Sequence, residues 1–505
     1  MRLILLWTVI GAALGIATPA NPVGLTNDGA QYLSAARNLR AGEGFATSIL
    51  YFDEHYVTGK LPAPQTVWPP GYSAILAGFT ALGLTEDGAS RAVGIVALAA
   101  ILAITCALTL RLTGSAIASS LASIWVAGVT EFLFYVRTPN TDLLFVALVL
   151  GALACVAGPA GASWQRWLMA GLLGAAAVYV RYAGVFLFAT LGIWALRSPR
   201  HAVTPRERGT PLLALIPGGV LIALLMLRNL LLIGNLKGGN SKTVMQPLSG
   251  LLRTTFESLV DGLGGASLTD LRAGGTTAFL AALGLAALLA GTATLTLAMR
   301  NLRLVKGVVT GLGVLLIFSF VYLAGVIAIS RGTMLTFGLR YLLPLLPCLV
   351  VVVVAAGWTG GRAARAGALA TSLLAAIAGI GAFERRWDSR VRLATRPDAA
   401  LVEWARSRAP GAPLLAIGLS QADALRLGGG VLVVPQSYFT ARAWDAEELR
   451  SVAQQFGVQQ VIVVKQRPGL PTYPGIAAEL IRGRALDWLT PADETSTARI
   501  LTVRR

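Results

Sequence analysis

Two aspartates in an otherwise apolar chain are placed where a side chain could do chemistry. Asp28 follows the first apolar segment by a few residues, and Asp142 opens a later apolar run within Thr138-Pro139-Asn140-Thr141-Asp142. Carboxylates are the general bases in good supply, since the chain has only two histidines. A base just above the membrane face could take the proton from a hydroxyl acceptor as it attacks a sugar. An acid at the start of an apolar run is costly to place and often functional, although either aspartate could also cap the helix that follows it. Glu131, near the outer end of the preceding run, is a less clear case of the same kind. Asp53-Glu54-His55 is a local polar cluster that either meets substrate or tips a solvated loop.

Cations on the same side are the natural complement, because a lipid-linked phosphate would need them. Arg181-Tyr182 interrupts two apolar runs, Arg228-Asn229 sits near the outer end of another, and Arg340-Tyr341 begins a run leading to Leu-Pro. Any one of these arginines could instead snorkel to headgroups. Several of them converging on the side that carries the acids argue for a site. Tyr72, just after the Trp68-Pro69-Pro70-Gly71 turn, joins the substrate-facing set.

The elements that must position these residues follow from composition. The chain has 505 residues, 55% of them hydrophobic and 13% charged, with a mean hydropathy of +0.68. A soluble domain of this size needs more polar surface. Apolar runs of about 17–25 residues recur, the length of helix that crosses about 30 Å of hydrocarbon. This composition specifies a polytopic α-helical membrane protein. The net charge of +18 does not point to nucleic acid, because arginine gathers in short loops between apolar runs, where it sets membrane orientation. The three cysteines (Cys106, Cys155, Cys348) lie inside apolar runs and imply no disulfide framework. Two histidines exclude a His-rich metal site, and no metal or other cofactor is expected.

Residues 26–71 form the polar stretch around which the rest is arranged. Unstructured loops longer than about 12–15 residues are usually functional or disordered, and this one has too many aromatic residues for disorder. A helix is expected from about Gly29 to Arg40 with Asp28 as its cap; it would lie along the bilayer surface and end at Gly42 and Gly44. Gly71–Leu84 is apolar but only 14 residues long, so it reads as interfacial or re-entrant. About eleven crossings then follow: the first segment and helices near 91–110, 116–135, 142–159, 165–180, 182–196, 211–233, 276–299, 307–329, 340–357 and 366–383. With that parity Arg111, Arg166, Arg200 and Arg303 fall in cytoplasmic loops, while Asp28, Asp142 and Asp270 fall outside. Met1–Ala20 is expected to be retained as the first helix, with its N-terminus cytoplasmic, although the small residues near Ala20 also suit a cleavable signal.

The reading divides the chain into a transmembrane domain, 1–383, with outer loops 21–70 and 234–275, and a C-terminal extracytoplasmic domain, 384–505. Short buried strands at Leu414–Gly418, Val431–Pro435 and Val461–Lys465 alternate with helical stretches near 398–408, 421–427 and 445–456, the pattern of a small α/β domain. Gly428-Gly429-Gly430 precedes a strand and so is not a dinucleotide turn. No internal repeat is evident.

The order of these motifs resembles a known family. The first helix, then NDGAQYLSAARNLRAGEGF, then WPPGYSAILAGFTALG is similar to the first outer loop of GT-C fold glycosyltransferases, which include protein O-mannosyltransferases and aminoarabinose transferases. TPNTDLLFVALVLG resembles the family's second outer-loop acid, and RYAG, LRNLLLIGN and GLRYLLPLLP resemble its later signatures. The likeness covers roughly residues 1–360, and the terminal segment resembles the variable extracytoplasmic domain of many members. It implies transfer of a hexosyl or pentosyl group from a polyprenyl-phosphate donor to a glycolipid, polysaccharide or protein acceptor, at the outer face of a bacterial inner membrane. It implies Asp28 as catalytic base, Asp142 as the acid that shapes the site, and Arg340 as the ligand of the donor phosphate, with Arg181 and Arg228 behind it. Many members pair two acids in the first motif, whereas Asp28 is flanked by Asn27 and Gly29. Two other readings fit parts of the chain. A transporter of lipid-linked sugars would place charges near the bilayer midplane along a path. A non-catalytic anchor for the C-terminal domain would leave the 26–71 stretch unexplained.

Overall fold

The computed structural model describes residues 1–19, 25–157, 162–197, 205–239, 247–264, 275–301, 306–331, 338–393, 399–407, 412–428, 430–434, 444–465 and 475–504. Ala20, Arg200, Asp270, Arg303, Gly429 and much of the 234–275 loop lie outside the described residues.

The apolar segments fold as helices where length and hydropathy place them. Arg2–Ala17 comes first, followed by Glu86–Thr113, Asp142–Val156, Trp164–Val180, Gly184–Arg197, Pro205–Ile233, Gly275–Asn301, Lys306–Arg331, Leu345–Thr359 and Arg362–Leu393. Two expected runs are broken. The 116–135 run divides into Ala116–Ala127 and Thr130–Tyr135 at Gly128. There a Cβ on Gly379 would collide with the Gly128 carbonyl oxygen, so two backbones touch. The 340–357 run divides at Pro344, leaving Leu339–Leu342 as a separate turn; proline lacks an N–H and starts the next helix instead of continuing the first. The last long helix runs past Glu384 to Leu393.

Among the described residues, four helices are long and apolar enough to cross a membrane, and six shorter apolar helices accompany them. Leu231, Phe320 and Ile380 stand mostly exposed on this surface, as expected where hydrocarbon is the solvent. The chain is a membrane-embedded helical protein. The segment after Trp-Pro-Pro forms the helix Gly71–Ala81, of 11 residues, about 16 Å long and far short of a bilayer core.

The helix expected along the bilayer surface spans Asn27–Arg40 and is covered by protein. Every residue from Gly29 to Ala36 is buried, beneath the helices Gly71–Ala81 and Gln421–Leu427. Its end follows the glycine signal, with φ of +84° at Gly42 and +71° at Gly44, a region only glycine enters without strain.

The C-terminal segment contains the expected strands and two that the sequence did not disclose. Leu414–Ile417 lies between Val431–Val433 and Gln460–Val464, parallel to both. A hairpin, Leu489–Glu494 with Ala498–Val503, adds antiparallel strands at one edge. At the other edge Ile49–Leu50, from the first polar loop, pairs in parallel with Val431–Leu432. One six-stranded sheet therefore joins both ends of the chain.

Gln31 ties the junction together. Its amide nitrogen donates to the Ile49 carbonyl at 3.0 Å and to Gln421 Oε1 at 2.7 Å. Its oxygen accepts from Thr47 Oγ1 at 2.8 Å and Gln65 Nε2 at 3.0 Å. Gln31→Leu would leave Gln421 Oε1 and Gln65 Nε2 without this partner, at a cost of about 1–3 kcal/mol for each buried group left unsatisfied. The expected outcome is a clearly lowered unfolding midpoint in detergent and faster proteolysis of the 41–66 loop.

Candidate active site

Asp28 is free of the capping role that its position allowed. Thr26 caps the helix instead, its hydroxyl accepting from Gly29 N at 3.0 Å. Asn27 faces the C-terminal segment, where its side-chain oxygen accepts from Gln421 N at 3.1 Å and Ala422 N at 3.4 Å. Asp28 is left in the first turn, where the helix dipole favours a carboxylate. Gly29 lets this turn approach the Asp142 loop, since a Cβ there would lie 2.9 Å from the Pro139 carbonyl oxygen.

Asp142 begins its helix behind Thr141 and donates its own N–H to Asn140 Oδ1 at 3.0 Å. Its carboxylate takes two guanidinium groups, Arg181 on Oδ1 and Arg340 Nε on Oδ2, the latter at 2.8 Å. Arg340 also reaches Asp28 Oδ2 through Nη1 at 2.7 Å, and Asn140 Oδ1 through Nη2 at 3.3 Å. One guanidinium therefore bridges the two aspartates. The Arg181 guanidinium lies over the Tyr341 ring, 5.2 Å from its centroid. Side-chain exposure separates the roles: Asp28 is 29% and Arg340 26% exposed, whereas Asp142 is 2% exposed. Asp142 is the buried counter-ion that holds both arginines, and Asp28 is the carboxylate a second molecule can reach.

Asp28, Asp142, Arg181, Arg340 and Tyr341 thus come together, whereas Tyr72, Arg228 and His55 are turned to other partners. Tyr72 is buried behind the site. Its hydroxyl accepts from Asn140 N at 3.0 Å, so it holds the turn before Asp142, and burial pushes its pKa up to about 12. Arg228 points to the polar loop, donating to the carbonyls of Gln65 at 3.1 Å and Phe45 at 3.3 Å. There it clamps the two loop segments that Gln65 N also joins by donating to the Phe45 carbonyl at 2.8 Å. Asp53-Glu54-His55 forms a single turn packed within the same loop, with the Glu54 carboxyl against Gly239. Glu131 is buried on its short helix.

Asn140, Asn27 and Tyr32 were not anticipated. Asn140 had a local signal, an Asx residue two places before a helix start. Tyr32, whose ring stands edge-on to Tyr72 at 5.1 Å, carries no local sequence signal that sets it apart. Among the described residues no three His, Cys, Asp or Glu side chains are grouped to hold a metal ion.

Two expected outcomes follow. Removing Asp142 leaves the largely enclosed Arg181 without a carboxylate and Arg340 with Asp28 alone, so Asp142→Leu should cost about 3–5 kcal/mol. Asp28→Asn, at a part-exposed pair, should cost under about 1 kcal/mol; unfolding midpoints in detergent compare the two. His55 is fully buried, accepts from Tyr51 N at 3.2 Å, and desolvation lowers its pKa to about 4. The folded protein holds it neutral while the unfolded chain protonates near 6.5. Its contribution is therefore intact above pH 6.5, falls as pH drops through that window, and is gone near pH 4. His55→Gln should flatten the pH dependence of the midpoint between those values.

No family model matches the sequence, and no curated protein sequence matches it. Solved structures do match. ArnT from Cupriavidus metallidurans in the apo state aligns with a TM-score of 0.62 at 13% identity, covering 99% of this chain and 97% of that one. The Archaeoglobus fulgidus oligosaccharyltransferase tethered to an acceptor peptide aligns at 0.56 and 12% identity, over 91% of this chain and 69% of its own. The mycobacterial arabinofuranosyltransferase AftD aligns at 0.55 and 12% identity, over 100% of this chain and 42% of its own. The chain has the GT-C fold that these proteins share.

Proposed function

We propose that this protein is a membrane glycosyltransferase that moves a sugar from a polyprenyl-phosphate donor to a hydroxyl acceptor, with Asp28 as general base. The observation that carries the reading is Arg340, which spans from buried Asp142 to accessible Asp28. The fold adds support: ArnT has been solved bound to undecaprenyl phosphate, and the archaeal oligosaccharyltransferase with dolichol-phosphate.

The chemistry follows from the pairing. Arg340 keeps its Nε on Asp142 while its outer nitrogens turn to the donor phosphate, neutralising the leaving group. That movement releases the Asp28 carboxylate from its ion pair and leaves its oxygens open to the acceptor hydroxyl. Asp28 then takes the acceptor proton as the acceptor oxygen attacks the anomeric carbon and the bond to phosphate breaks. A single displacement of this kind inverts the anomeric centre. No metal is needed, because a guanidinium supplies positive charge between the two carboxylates. In this reading the chain crosses the inner membrane of a bacterium about eleven times, with its N-terminus cytoplasmic and its C-terminal segment outside.

The test uses purified protein in lipid, radiolabelled polyprenyl-phosphate sugars and an envelope extract as acceptor. Asp28→Asn should lower transfer by roughly 10²–10⁴-fold while the unfolding midpoint is nearly kept, and Arg340→Met should weaken donor binding as well. Transfer untouched by Asp28→Asn would remove Asp28 as the base. A retained anomeric configuration would rule out single displacement, and donor that crosses the bilayer without transfer would make the protein a transporter.

A further inference from the structure

One face of the helix Asn27–Arg40 carries a polar stripe that the chemistry assigned to Asp28 does not use. Asn27, Gln31, Ser34 and Asn38 follow one another at steps of four, three and four residues, the spacing of a single helical face. Each is bound to the backbone of another segment. Asn38 Nδ2 donates to the Ala46 carbonyl at 2.8 Å, Ser34 Oγ accepts from Ser48 N at 2.8 Å, and Gln31 Nε2 donates to the Ile49 carbonyl at 3.0 Å. At the end nearest Asp28 the partner changes to the C-terminal segment. There Gln31 Nε2 also meets Gln421 Oε1 at 2.7 Å, and Asn27 Oδ1 accepts from Gln421 N and Ala422 N.

Those two N–H groups open the helix Gln421–Leu427, where the first turn has no partner within its own helix. Ser420 caps that helix through Asp423 N at 3.0 Å, and Asn27 closes the rest from across the junction. Gln421 is 3% and Gln31 0% exposed, so both amides must find their partners in the protein. The Ile49 carbonyl can only accept, and Gln421 N and Ala422 N can only donate. Backbone groups therefore fix which end of Gln31 and of Asn27 faces which partner. Asp28 stands about 100° round the helix from Asn27. Tyr32, one turn later on the Asp28 face, has its hydroxyl 3.4 Å from that of Thr141. A helix held at several levels along one stripe resists rolling about its axis. Rolling is the motion that would swing Asp28 off Arg340.

We propose that Asn27 and Gln421 are positioning residues for Asp28: by fixing the roll of the Asn27–Arg40 helix, the C-terminal segment aims the carboxylate at Arg340. The inference rests on Asp28 as general base. It makes the C-terminal segment a working part of the transfer site.

The test is a double-mutant cycle on the full chain in lipid, with transfer and donor binding measured separately. Gln421→Met keeps side-chain length without the oxygen that Gln31 reaches, and Asn27→Leu removes the acceptor of Gln421 N. Each should lower kcat about 10–100-fold, the scale of a misplacement near 1 Å. Donor affinity should stay within about threefold, because Arg340 keeps its bond to Asp142. In an Asp28→Asn background the same changes should cost under about twofold, since no base is left to aim. Lys465→Met, whose side chain pairs with Glu494 of the terminal hairpin, is the control and should keep both readouts. Losses that persist in full in the Asp28→Asn background, or that fall on donor affinity instead of kcat, would overturn the proposal. Gln421→Met alone carries the test if Asn27→Leu does not fold.

Hydrogen exchange separates this inference from the reaction it rests on. Amides 28–36 should exchange about tenfold faster in Gln421→Met, as expected when a local anchor is lost. Unchanged exchange would overturn the link to the C-terminal segment even if wild type transfers sugar. Faster exchange with no transfer by wild type would uphold that link and remove Asp28 as the base it serves.

Discussion

The guanidinium of Arg340, shared between one buried and one accessible carboxylate, is the interaction on which the site depends. A buried carboxylate is tolerable only when paired, and Asp142 is paired twice, with Arg340 and Arg181. That pairing anchors Arg340 so that its outer nitrogens stand at Asp28. Within this quartet the positive and negative charges balance until an anionic group arrives. In the proposed reaction the donor phosphate meets a cation that is already oriented, which is the condition for strong electrostatic action in a partly enclosed site.

Everything around the quartet serves to hold two chain segments at one spacing. The Asn27–Arg40 helix carries Asp28, and the loop 138–142 carries Asn140 and Asp142. They approach closely because Gly29 has no side chain to obstruct Pro139. Tyr72 braces the second segment through Asn140, and Tyr32 spans both by packing on Tyr72 and placing its hydroxyl 3.4 Å from that of Thr141. The polar loop is braced from outside by Arg228 and by Tyr182, which donates to the Thr66 carbonyl at 2.6 Å.

The C-terminal segment belongs to this scaffold. A two-residue strand has no stability of its own, and Ile49–Leu50 exists because Val431–Val433 offers it an edge. Asn27 and Gln31, flanking Asp28 on its helix, both bond to the start of the helix Gln421–Leu427. The segment that looks like an appended domain therefore sets the angle of the helix bearing Asp28.

What could be read from the chain alone was whatever depends on short-range pattern. Apolar length placed the membrane helices, glycine placed the end of the Asp28 helix, and alternating apolar runs placed three strands near 414, 431 and 461. Asp28, Asp142, Arg181 and Arg340 were legible because a charge beside an apolar run is expensive wherever the chain goes. Their pairing was not legible, since 198 positions separate Arg340 from Asp142 and no local rule records which cation meets which acid. The same limit explains the misplacements. Tyr72, Arg228 and His55 have the chemistry of site residues, but burial and direction, which only packing sets, turn them toward the scaffold. The joining of residue 49 to residue 431 is likewise a tertiary decision, because a strand of two residues leaves no period to read.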